Sequence, residues 1–82
     1  PLFDGEFELV SQRLVGERHL KMTLLPAGSD NLLDAIAFNI DPGVWPDQSV
    51  AQVRLVYRLD VNEFRGQRQL QLLVEHLQPL SQ

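Results

Sequence analysis

The chain has 82 residues, 44% of them hydrophobic, no cysteine and a formal net charge of −4. That suffices for one small domain with a single modest core; it excludes a disulfide-stapled scaffold or a thiolate site and argues against a surface coated in cation for nucleic acid. No apolar run approaches the ~20 residues needed to cross a bilayer as a helix, and no signal-peptide pattern is present.

The chain opens at Pro1 rather than Met, so it reads as a piece of a longer protein, and the lack of cysteine fits a reducing, cytoplasmic setting. Charge is distributed unevenly. Residues 1–47 hold three basic and eight acidic side chains, whereas residues 48–82 hold four and three. A local cationic patch is compatible with the acidic total, because salt at physiological strength confines a charge's influence to ~8 Å.

Residues 1–5, "PLFDG", read as a connector into a domain that fills the rest of 1–82. The next segment, "EFELVSQRL", alternates Phe7 and Leu9 against Glu6 and Glu8. After a short turn at Gly16, "RHLKMTLL" alternates Leu20, Met22 and Leu24 against Lys21 and Thr23. Beyond the turn-rich "PAGSDN", the segment "LLDAIAFNI" sets Ile36 and Phe38 on one face and Ala35 and Ala37 on the other. "QVRLVYRLDV" alternates Val53, Leu55, Tyr57 and Leu59 against Arg54, Arg58 and Asp60, and "RQLQLLVEHL" alternates Leu70, Leu72 and Val74 against Gln69, Gln71 and Glu75. Period-two alternation of this kind marks strands with one buried face.

The last two strands are expected to form a hairpin around Asn62–Gly66. The connection from Asp41 to Ser49 is longer and holds two prolines; Asp47 there is placed to cap a single helical turn through Ala51. The expectation is therefore an all-β fold: a five-stranded antiparallel OB-fold barrel, with at most a short helical turn between strands three and four. An SH3-like barrel is the structural rival. Leu20, Met22, Ile36, Phe38, Leu55, Tyr57, Leu70 and Leu72 are expected in the core, with Trp45 plugging one barrel end or offering a stacking surface.

No catalytic or metal-binding set is legible. His19 and His76 are far apart and in no ligand spacing; His76 falls on the inward parity of the last strand and reads as a structural histidine. The turns carry more information. The first holds Arg18 and His19, followed by Lys21 on an outward strand face. The last holds Phe64 and Arg65, flanked by Arg58 and Arg68. An OB-fold commonly binds ligand across strands two and three, between the first and last of these turns. If the barrel brings both turns to one side, their arginines form a single cationic rim able to bind phosphate, with an aromatic for base stacking. A solvated, salt-bridged surface and, behind it, a protein-docking surface also stay open as readings, because Glu17, Asp60 and Glu63 interleave with the cations.

Three blocks, VGERHLK, DAIAFN and YRLDVNEFRG, occur in an order that strongly resembles the carboxy-terminal OB domain of the bacterial RecJ single-stranded-DNA-specific exonucleases. The resemblance covers essentially the whole chain. It implies an accessory domain that guides single-stranded DNA, 5′ end first, to a DHH-type catalytic core using Mn²⁺ or Mg²⁺. This chain has no Asp-His-His run, so that core and its metal are expected elsewhere in the parent protein, and no cofactor is expected here. The resemblance carries the DNA-contact role to Arg18, Lys21, Arg58, Phe64, Arg65 and Arg68. Its alternative is a docking module, for the catalytic core or the acidic tail of single-stranded-DNA-binding protein, without direct DNA contact. No membrane partner is implied.

Overall fold

The computed structural model describes residues 1–80, with Phe64 described by its backbone alone. Five strands form: β1 (Phe3–Val15), β2 (His19–Pro26), β3 (Leu33–Ala37), β4 (Gln52–Phe64) and β5 (Gln67–Pro79). They close into a barrel in the order β1-β2-β3-β5-β4, with β4 returning to pair with β1. This is an OB-fold barrel. β1 starts at Phe3, so three residues of the expected connector pair with β4 instead.

One pairing departs from the antiparallel expectation: β3 and β5 run parallel. The reason is topological. β1 and β3 run one way, and β4 pairs antiparallel with β1 and so runs the other way. β5 reverses at its hairpin and meets β3 running in the same direction.

Leu20, Met22, Leu24, Val53, Leu55 and Leu72 are fully buried, as their alternation requires. Burying each such side chain contributes roughly 1.5–3 kcal/mol. Tyr57 is only half-buried, stacked on Phe3 at 5.9 Å and edge-on to Phe7 at 5.7 Å between ring centroids.

Strand β3 faces opposite to its expectation. Ala35 and Ala37 point inward and are buried, Ile36 is half-buried, and Phe38 is 55% exposed. The alanines lie between large neighbours: Ala35 between Met22 and Leu72, Ala37 between Leu20 and Val74. A five-stranded barrel is narrow, and small residues on its central strand leave room for those side chains. Leu70 is also exposed, because the β3–β5 pairing begins at Asp34 opposite Gln71 and the start of β5 pairs with β4 alone.

Two bulges shift the alternation. Val10 is the extra residue between Leu9 and Ser11 of β1, so Gln12 turns inward. It is the one buried polar side chain among the described residues. Its amide nitrogen donates to the Asp47 carbonyl at 2.6 Å, and its amide oxygen accepts from the Asp47 N–H at 2.9 Å. This two-point bond pins the β3–β4 connection across the barrel mouth, where Trp45 is buried as the plug. The second bulge, between Val56 and Tyr57, leaves Glu75 opposite no residue. It turns His76 outward, so His76 is exposed rather than a structural core histidine.

The β3–β4 connection contains turns and no helix. Asp47 still caps locally: its Oδ1 accepts from the Ser49 hydroxyl at 2.6 Å and the Ser49 N–H at 3.0 Å. These bonds, the hydroxyl's foremost, hold the Asp47 carboxyl below its ordinary value. A depressed carboxyl favours the fold above its unfolded-state value, and that contribution is lost as pH falls through the folded value. An NMR titration should give Asp47 a midpoint below that of an ordinary aspartate. Ser49→Ala should raise it, and an unmoved midpoint in that variant would refute the assignment.

Candidate nucleic-acid interface

The strand register lays one residue from each strand in a lateral row across the outer surface. Arg13 pairs with Lys21, Lys21 with Ile36, Ile36 with Leu73, and Leu73 with Arg58. The row is cationic at both ends and apolar in the middle. Lys21 and Arg58 lie three strand spacings apart, roughly 14 Å along the sheet.

The cations differ in how they are neutralised. Arg58 holds Glu75 at 2.9 Å, Arg68 holds Glu63 at 3.5 Å, and Arg54 holds both Asp4 and Glu6. Among the described residues, Arg13, Arg18 and Lys21 stand in no ion pair. All three belong to the β1–β2 ribbon and its turn. Their fields are therefore left for an external anion, tempered by Glu17 in the same turn and Asp34 on β3.

That ribbon is tied to the end of β3. Ile40 donates its N–H to the Arg18 carbonyl at 2.8 Å. Asn39, in the left-handed region at φ 55°, donates its N–H to His19 Nδ1 at 3.3 Å. The His19 ring meets the Phe38 ring edge-on, with centroids 5.1 Å apart. His19 and Phe38 lie two residues along from Lys21 and Ile36, on the same outward face, so aromatic and cationic groups share one patch. A groove of about 270 Å³ continues from Phe38 toward Val44, Trp45 and Leu77, with Asp41 and Glu75 on its walls.

The six residues singled out in the sequence divide. Arg18 and Lys21 belong to this patch. Arg58 ends the same row but is paired with Glu75. Arg65 and Arg68 stand elsewhere, at the tip of the β4–β5 hairpin. Phe64 lies outside the residues whose side chains are described.

The expected single rim does not form. Measured from the Leu14–Leu20–Ala37–Val74–Tyr57 row, the first turn lies about two residues one way and the hairpin tip about eight the other, roughly 30 Å along the strands at ~3.3 Å per residue. The hairpin turn is also tighter than Asn62–Gly66. It consists of Arg65 and Gly66, both at positive φ (52° and 78°), between strands that pair as far as Phe64 and Gln67. Two positive φ values make the tight hairpin turn whose twist matches its strands.

Arg13, His19 and Phe38 were not among those six. Arg13 was legible only if the alternation was carried through the bulge at Val10. Phe38 was hidden by the inverted reading of β3.

Compared with known proteins, residues 1–76 match the family model described as the RecJ OB domain. This chain belongs to the RecJ OB domain family. It is 64% identical over 80 residues to the single-stranded-DNA-specific exonuclease RecJ of Dickeya dadantii, 56% to that of Escherichia coli and 59% to that of Salmonella typhimurium. Each alignment covers 98% of this chain and 14% of the relative. The RecJ OB chain thus spans about one-seventh of the length of those exonucleases. Among its described residues, no group of three or more His, Asp or Glu side chains could hold a metal ion. Among the described residues, no helix is long and apolar enough to cross a membrane.

Proposed function

We propose that this RecJ OB domain is an accessory single-stranded-DNA-binding module of a cytoplasmic 5′-to-3′ exonuclease. In this reading it grips the strand and guides it to a DHH catalytic core elsewhere in the parent chain. Hydrolysis and its divalent metal belong to that core, and the domain alone cleaves nothing. The observation that carries the reading is the trio Arg13, Arg18 and Lys21, in no ion pair among the described residues, beside an exposed aromatic on the β2–β3 face. Arginine and lysine supply sequence-independent phosphate affinity, and an aromatic supplies sequence-tolerant stacking.

A salt titration of single-stranded DNA binding by the 82-residue chain tests it. Three phosphate contacts predict a log–log slope near −2, at ~0.7 per contact on a single strand. Absence of binding even at low salt would sink the reading.

A second reading applies to the hairpin. Leu59, Val61 and Leu70 are exposed on the inward-parity face of β4 and β5, Val61 and Leu70 beyond the start of the β3 pairing and Leu59 at its edge. Exposed apolar residues grouped in this way mark interaction surfaces. With Arg65 and Arg68 nearby, the hairpin suits protein docking, on the catalytic core or on an acidic tail of single-stranded-DNA-binding protein.

A further inference from the structure

We propose that Phe38 and the groove beside it form a subsite for one unstacked nucleobase; this rests on the DNA-binding reading and adds to it where a base goes. Four observations carry the inference. Phe38 is a large aromatic left 55% exposed while the alanines on either side of Ile36 fill the core, so packing does not require its ring. The ring is held in place: His19 meets it edge-on, and the Asn39 N–H fixes His19 through Nδ1. A pre-positioned aromatic loses little freedom on binding, which is what a stacking platform requires. Next to it the groove is lined by the exposed Val44, the buried Trp45 and Leu77, apolar groups against which a flat ring can lie.

The fourth observation is the arrangement of charge. Lys21 and Arg13 flank the patch on the β2 and β1 side, while the groove's lining includes the Asp41 carboxylate and Glu75, the latter paired with Arg58 at 2.9 Å. The Asp41 carboxylate, in no ion pair among the described residues, repels phosphate but accepts hydrogen bonds from base amino groups. A strand therefore lies with its phosphates over Lys21 and Arg13 and its base turned across Phe38 into the groove. The reverse orientation would put phosphate against the Asp41 carboxylate.

The test compares two oligodeoxynucleotides with equal numbers of phosphates, one fully base-bearing and one abasic, bound to the 82-residue chain at fixed salt. Trp45 is the chain's single tryptophan and lies at the groove, so its fluorescence reports occupancy. The wild-type chain should prefer the base-bearing strand by roughly 5- to 150-fold, the range set by base–aromatic stacking. Phe38→Ala should bring that ratio close to one without weakening the abasic strand, and Phe38→Tyr should restore it. Circular dichroism of Phe38→Ala should match wild type, since the ring lies outside the core. Equal binding of both strands by the wild type, or an unchanged ratio in Phe38→Ala, overturns the subsite while leaving phosphate binding intact. Failure of both strands to bind overturns the DNA-binding reading and the subsite together. If an apolar peptide competes for the groove but the base-bearing strand does not, the slot is a peptide site and the proposal is wrong.

Discussion

Changing Arg13 and Lys21 together to glutamate is expected to remove most single-strand binding by this domain and to flatten what remains against salt. Both side chains are outward partners on adjacent strands, and neither is engaged by a carboxylate among the described residues. Each phosphate contact on a single strand contributes ~0.7 to the salt slope, so losing two lowers it by about 1.4. The two glutamates also place like charge against the backbone, which weakens binding further than removal alone. The barrel should persist, because exposed charges contribute little to folding.

The same reversal at Arg65 and Arg68 discriminates between the readings of the hairpin. A second fall of about 1.4 in slope puts the tip on the path of the strand. An unchanged slope, with weaker association to the catalytic core or to an acidic tail peptide, makes it a protein-docking element. If the Arg13 and Lys21 double variant keeps the wild-type slope, the β2–β3 face is not where phosphate is held.

Replacing Leu20 by alanine is expected to cost about 2–5 kcal/mol, the range for emptying a buried leucine site. Leu20 is fully enclosed and pairs laterally with Leu14 and Ala37, neither of which can fill the space it would leave. Against the ~5–15 kcal/mol of an ordinary domain, that is a large share. Urea denaturation should show a lower midpoint with an unchanged slope. Phe38→Ala provides the contrast. A core phenylalanine would cost about 3–5 kcal/mol, but one that is half exposed with its ring edge-on to His19 should cost below ~1 kcal/mol. Equal losses in the two variants would mean that β3 faces the other way.

Much of this domain was legible from its residues. Strands β2, β4 and β5 have one strongly apolar face and one polar face, so Leu20, Met22, Leu55 and Leu72 could be placed inside before any partner strand was known. The closed five-stranded barrel followed from five such segments, short turns and one longer link, and the three sequence blocks carried the family.

What the residues alone left undecided had a common cause: each point depended on lateral neighbours rather than on the chain's own period. In β3 both faces are apolar, Ala35 and Ala37 against Ile36 and Phe38, so alternation cannot choose between them. The choice is made by Met22, Leu20 and Leu72, which already fill a narrow barrel and admit only alanine beside them. The bulge at Val10 is a property of the β1–β2 pair, and by reversing parity after Leu9 it turns Gln12 to the plug and Arg13 to the surface. The distance between the arginine-bearing turns is set by the stagger of the closed sheet, which carries β4 and β5 past the start of β3. Side-chain period is local and can be read along one strand; register and stagger exist only between strands, and they decided which cations share a face.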